Sequence, residues 1–218
     1  MTGDRKPITA DEWLAMPKDD NRYELIRGVL VPREPTGEPL ITAEQLLRLP
    51  RGKGTRCELI RGVLIEKMPT GDAHRDTTVL TAYHLTQYTF DTEHGVTRTG
   101  EPGFRLETEP DTVRAPDVAW IAPGRIPEGT QGYPELAPDL AVEVKSPSNS
   151  NPEMYEKASM WLAYGTRQVW VLDPENMTAT IHRLGSEPVV FSENDILDGS
   201  DLLVGFSIEV WKLFRRQP

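Results

Sequence analysis

Two short segments constrain this chain more than any other feature: Arg114-Ala115-Pro116-Asp117-Val118, and Pro138-Asp139-Leu140-Ala141-Val142-Glu143-Val144-Lys145. Both read as buried strands, yet each carries a carboxylate, and the second adds a lysine two residues after its glutamate. Strand alternation groups Ala141, Glu143 and Lys145 on one face and Leu140, Val142 and Val144 on the other. Charges on an otherwise apolar strand are costly to desolvate unless they are paired or hold an ion. That cost is met most often at catalytic sites.

The N-terminal third contains an internal repeat. Ile8–Leu14, Tyr23–Leu30 and Pro35-Thr36-Gly37 recur as Ile41–Leu47, Cys57–Leu64 and Pro69-Thr70-Gly71. Each copy predicts a short helix capped by Thr9 or Thr42, a strand, a turn at Arg-Gly and a second strand. Two copies are too few for a solenoid, so we assign residues 1–40 to a duplicated helix-hairpin extension and 41–218 to the main domain. After Gly71, Asp72 is expected to cap a helix reaching about His94, with Val79, Leu80, Tyr83 and Gln87 on its buried face and Gly95 closing it.

Strands are expected at Val96–Thr99, Gly103–Glu107, Val113–Ile121 and Leu140–Lys145, the last two separated by the Gly/Pro-rich loop Pro123–Pro138. A second helix carries Pro152 in its first turn, Met154, Ala158, Trp161 and Leu162 as its apolar stripe, and Gly165 as its stop. Strands Gln168–Leu172, Thr178–Arg183 and Pro188–Phe191 lead to Gly205–Ile208 and a short helix at Val210–Phe214. This order predicts an α/β fold, a mixed β-sheet flanked by helices.

A formal net charge of −10 counts against tight, non-specific duplex binding, because phosphate contacts supply most of such affinity. It does not exclude a nuclease, since local Arg and Lys or a metal can offset the field at a site. The single Cys57 excludes an internal disulfide framework and suits a reducing cytoplasm. No segment reads as a signal peptide or membrane span, so no membrane partner is expected.

Three carboxylates follow a proline. Asp139 lies four residues before Glu143 on one strand, about 13 Å away, too far to share an ion. Asp111 sits in a turn composition, Glu109-Pro110-Asp111-Thr112. Asp117 belongs to a strand that can lie beside Leu140–Lys145, and it is the good partner for Glu143. With the Val144 carbonyl, the two carboxylates make an oxygen-only shell suited to Mg2+ or Mn2+. Lys145 is then placed to orient and help deprotonate a water attacking a phosphate. A buried Glu–Lys ion pair with no catalytic role fits the spacing equally well. Lys157 and Tyr164 share a helical face; they either reach the site or are a snorkelling lysine and a packed ring. His74, at the start of the first long helix, either meets a phosphate there or is solvated.

These segments, together with Glu101–Leu106, Val169–Pro174 and Gly205-Phe206-Ser207, make the chain resemble the Uma-two family of restriction endonucleases, within the PD-(D/E)XK nuclease superfamily, over roughly Ile41 to Phe214. The resemblance implies a restriction-endonuclease-like core and a Mg2+-dependent phosphodiesterase acting on nucleic acid, DNA first. It implies Asp117, Glu143 and Lys145 as the catalytic set and suggests Glu58 as a further acidic ligand. Many members carry an apolar residue in place of Lys145 and supply the lysine from the following helix, which brings in Lys157. The other class of reading is a catalytically inactive nuclease-fold scaffold or regulatory binding protein, pairing as a homodimer through the duplicated unit.

Overall fold

The computed structural model describes residues 23–26, 29–32, 40–49, 56–67, 70–126 and 128–214. They fall into two compact units, one of residues 1–68 with Arg105–Arg114, the other of Pro69–Phe104 with Ala115–Pro218. The helix expected over Ile8–Leu14 lies outside the described residues.

In the first unit, β1 (Tyr23–Ile26) and β2 (Val29–Pro32) form an antiparallel pair in which Ile26 faces Val29. Helix α1 (Ala43–Arg48) is held by a reciprocal cap: Thr42 Oγ1 accepts from Gln45 N, and Gln45 Oε1 accepts from Thr42 N. Next come β3 (Arg56–Ile60) and β4 (Val63–Lys67), which join β6 (Phe104–Glu107) and β7 (Thr112–Arg114) in a sheet of order β4-β3-β7-β6.

The β3–β4 turn needs two left-handed residues, Arg61 (φ 46°) and Gly62 (φ 77°), as a two-residue hairpin demands. A Cβ on Gly62 would run into Leu40. Asp111 does more than make a turn: it is buried, accepting from Ala43 N (2.7 Å) at the start of α1 and from Arg105 Nη2 (2.8 Å).

The second unit is built on a six-stranded mixed sheet of order β12-β11-β10-β9-β8-β5. Its strands are β5 (Val96–Thr99), β8 (Val118–Ile121), β9 (Leu140–Val144), β10 (Gln168–Asp173), β11 (Thr178–His182) and β12 (Val189–Phe191). Only β9 and β10 run parallel, and helix α3 (Asn151–Ala163) is the crossover between them, as a parallel pair requires. Ser150 and Glu153 form a capping box at its start. At its end Gly165 (φ 97°) lets Gly165 N reach Leu162 O and Thr166 N reach Trp161 O, the paired bonds of a Schellman stop.

Helix α2 (Asp72–Thr92) packs on the face of the sheet that presents Val118, Trp120, Leu140, Val142, Val144, Trp170 and Leu172, with Ala82, Leu85 and Tyr88 turned inward. The small pair β13 (Ile196–Asp198) and β14 (Ser207–Glu209) and a 3-10 turn at Val210–Leu213 complete that core.

Four expectations are corrected. The buried face of α2 is His74, Thr77, Thr81, Ala82, Leu85 and Tyr88, whereas Val79 and Tyr83 are exposed. Thr81 can be buried because its hydroxyl bonds back to Thr77 O at 2.8 Å, four residues earlier. Asp72 opens the helix but does not cap it: the N-cap is Gly71, and Glu93 (φ 51°) ends the helix two residues before Gly95. The strand expected at Val113–Ile121 is two strands, β7 and β8, parted at Ala115-Pro116-Asp117, where Pro116 has no N–H to give a ladder. Finally, β13 was not expected, and the segment Gly205–Ile208 supplies its partner β14 from Ser207 on.

Candidate active site

Strands β8 and β9 are antiparallel, with Val118 opposite Val142, Ala119 opposite Ala141 and Trp120 opposite Leu140. The pairing ends at Val118, so Asp117 lies immediately before β8, beside the end of β9 that carries Glu143 and Val144. Asp117 N donates to Val142 O at 3.0 Å, one residue off the register of the paired strands, so the ladder is shifted at Asp117 instead of continuing in step. The Asp117 carboxylate turns back onto β9, where Oδ2 accepts from Val144 N at 2.8 Å. Its backbone carbonyl accepts from Thr99 of β5 at 3.1 Å. On α2, His74 is 6% exposed and brings Nε2 to 3.3 Å from Asp117 Oδ2.

Glu143 is 3% exposed, in the middle of a strand buried along its whole length. A carboxylate there must be answered, and α3 answers it. Trp161 Nε1 donates to Glu143 Oε1 at 2.8 Å, and Lys157 Nζ stands 3.5 Å from Oε2. Lys157 and Trp161 are four residues apart, so one helical face delivers both. Phe104 meets the Trp161 ring edge-on, centroids 6.4 Å apart, which fixes the indole plane.

Lys145 is engaged elsewhere. Its ammonium pairs with Asp173 Oδ2 at 2.8 Å, on the neighbouring strand β10. Burial alone would raise the Asp173 carboxyl, but hydrogen bonds from Lys145 and Asn176 outweigh it and hold the group below the usual carboxylate range. Beside this pair opens a groove of about 720 Å³ lined by His74, Thr77, Lys145, Ser146, Asp173 and Glu175 among others. His74 both lines the groove and touches Asp117, so the groove borders the site.

Glu58, in the first unit, is 2% exposed and is met by Lys67 Nζ at 2.7 Å on Oε1 and by Arg114 Nε at 3.2 Å on Oε2. Asp139 is a structural anchor: Oδ2 accepts from Ala122 N and pairs with Arg125, both at 2.8 Å. Tyr164 caps the end of α3. Among the described residues, no three His, Cys, Asp or Glu side chains are gathered closely enough to cage a metal. Oxygen donors of suitable chemistry are the Asp117 carboxylate, the Glu143 carboxylate, with one oxygen held by Trp161 and the other beside Lys157, and the Val144 carbonyl. So small a set suits a hard ion that keeps several of its waters.

The sequence profile of the Uma2 family, described as "Putative restriction endonuclease", matches residues 43–211. The chain belongs to the Uma2 family. The Uma2 match spans Asp117, Glu143, α3 and the groove residues from His74 to Glu175. A crystal structure of a "putative nuclease belonging to DUF820" from Anabaena variabilis superposes with a TM-score of 0.67 at 22% identity, covering 80% of this chain and 97% of that one. The Uma2 chain therefore has the fold of that nuclease. No curated protein matches it.

Two residues of this Uma2 site carried little or no functional weight in the sequence. Trp161 looked like core, although a buried indole N–H needs an acceptor, and its i+4 spacing from Lys157 was the available signal. His74 looked like a solvated helix-start histidine; nothing local in sequence marks its contact with Asp117, which is made across the fold.

Proposed function

We propose that the chain is a divalent-metal-dependent endonuclease that hydrolyses phosphodiester bonds of nucleic acid, DNA before RNA. The observation that carries this reading is the anchoring of Asp117 on β9, through its N–H to Val142 O and its Oδ2 to Val144 N, flanking Glu143 with a lysine against the glutamate. Asp117, Glu143 and the Val144 carbonyl would hold Mg2+ or Mn2+. Such an ion, when bound, supplies charge neutralisation at the phosphate and a more acidic water.

The rest falls to the chain. Trp161 holds Oε1 of Glu143 and so leaves Oε2 toward Lys157. Lys157 orients the attacking water and offsets negative charge growing on the phosphoryl oxygens. Water adds to phosphorus, the bond from phosphorus to the leaving oxygen breaks, and a phosphate monoester and a hydroxyl result. In this reading Lys145, held by Asp173 beside the groove, serves as a second cation for the substrate phosphate.

Residues 41–218 act as the nuclease domain and 1–40 as an extension duplicated from the helix-hairpin unit after it, available to a second copy of the chain. Incubating single- and double-stranded DNA and RNA with the protein, with and without Mg2+ or Mn2+, tests the reading. Cleavage should require the metal and vanish in Asp117→Ala and in Glu143→Ala.

A further inference from the structure

We infer that the outer face of α2 is a self-association surface, on which α2 of a second copy of this chain packs antiparallel about a two-fold axis. The surface goes beyond the nuclease reading and stands whether or not the site cuts nucleic acid.

The inner face of α2 packs on the sheet through Ala82, Leu85 and Tyr88. The opposite face carries Val79, Tyr83 and Phe90, which are 66%, 59% and 78% exposed. A single exposed apolar residue is ordinary. Three on one stripe are not: with half-buried Thr86 between them, their spacing is four, three, four, that of the a and d positions of a helix–helix seam. The stripe also lacks the charges that solvate an ordinary outward helix face. From Thr77 to Phe90 there is no Asp, Glu, Lys or Arg, in a chain in which 27% of residues are charged. A seam this short would not hold two free peptides together. Here each α2 is already formed on its own sheet, so pairing orders side chains only.

Charge selects a second copy as the occupant and sets its direction. Arg75 near the start of α2 and Glu93 just past its end are both exposed. They are five full turns apart at about 3.6 residues per turn, hence on one flank of the stripe. In an antiparallel pair with two-fold symmetry, like flanks face each other, so Arg75 of each copy meets Glu93 of the other. The same register lays Val79 against Phe90, and Tyr83 against Thr86, of the second copy. A parallel pair would set Arg75 on Arg75 and Glu93 on Glu93, and flanking charges of this kind fix orientation. The contact Arg75 makes within its own chain, to Asp72 at 3.8 Å, joins two exposed groups and is weak enough to yield.

Sedimentation equilibrium of the full chain between about 1 µM and 1 mM tests the inference. The weight-average mass should rise from one chain toward two. Phe90→Lys and Tyr83→Lys, at exposed positions, should each weaken association about tenfold or more. Arg75→Glu should weaken it too, and Arg75→Glu combined with Glu93→Arg should restore it, a rescue that misfolding cannot imitate. A chain that stays monomeric throughout would overturn the inference, leaving the stripe to a different partner. Association indifferent to Phe90→Lys, or no recovery in the double charge reversal, would overturn it as well.

Discussion

The Trp161 indole N–H donates to Glu143 Oε1 at 2.8 Å, and both groups are buried. An apolar helix stripe and a buried strand carboxylate are thereby one structural unit. The helix that covers β9 also satisfies the charge that β9 carries.

Trp161→Phe keeps a ring against Phe104 but removes the N–H. One oxygen of a buried carboxylate loses its donor, which costs about 1–3 kcal/mol. Urea unfolding of the variant should show its midpoint lowered accordingly with an unchanged slope; an unaltered midpoint would mean that water or Lys157 replaces the indole without cost.

The two lysines should separate in kinetics. Lys157 stands against Glu143 and Lys145 against Asp173. Lys157→Ala is expected to lower the cleavage rate by about 10²-fold or more, the usual contribution of a positioned acid–base group. Lys145→Ala should act chiefly on substrate affinity, in a salt-dependent way. Single-turnover rates at saturating substrate distinguish them, and the reverse ranking would return the catalytic role to Lys145.

Stability should fall on mild acidification for a reason outside the site. Burial pushes the ordinary 6.5 of His84 and of His182 down in the folded chain. The unfolded chain binds the proton more readily, so folding stability is full above about pH 6.5 and is lost as pH falls from there through the folded values. Thermal unfolding at pH 7.5 and 5.5 should show a drop that shrinks in a His84→Gln, His182→Gln variant. An equal drop in that variant would place the effect in other groups.

At the β3–β4 turn, Gly62→Ala forces a side chain into a left-handed position already occupied by Leu40. A loss of more than about 1 kcal/mol is expected, measurable by chemical denaturation, and an unchanged midpoint would contradict the strain assigned to this turn.

Much of this was readable from the chain because the relevant signals are local. The adjacency of the strand that follows Asp117 to the strand that carries Glu143 was legible from alternation and strand composition, and β8 and β9 do pair; that Asp117 itself stops short of β8 was not, because Pro116 breaks the ladder there. The stop at Gly165 and the cap at Thr42 are equally local. The buried face of α2 was misread because its threonines count as polar in sequence, while their back-bonded hydroxyls make them apolar in the fold. Asp111 was read as a turn residue because its partners, Ala43 and Arg105, are set by tertiary structure. The contact of His74 with Asp117 joins residues far apart in the chain and leaves no periodic trace.

The most direct measurement is cleavage of labelled DNA by purified wild type, Asp117→Ala, Glu143→Ala and the double variant, each with Mg2+, with Mn2+ and with chelator. The account predicts cleavage by the wild type only when metal is present, and none by any of the three variants. Full cleavage by the Asp117→Ala, Glu143→Ala double variant, or cleavage indifferent to chelator, would contradict it.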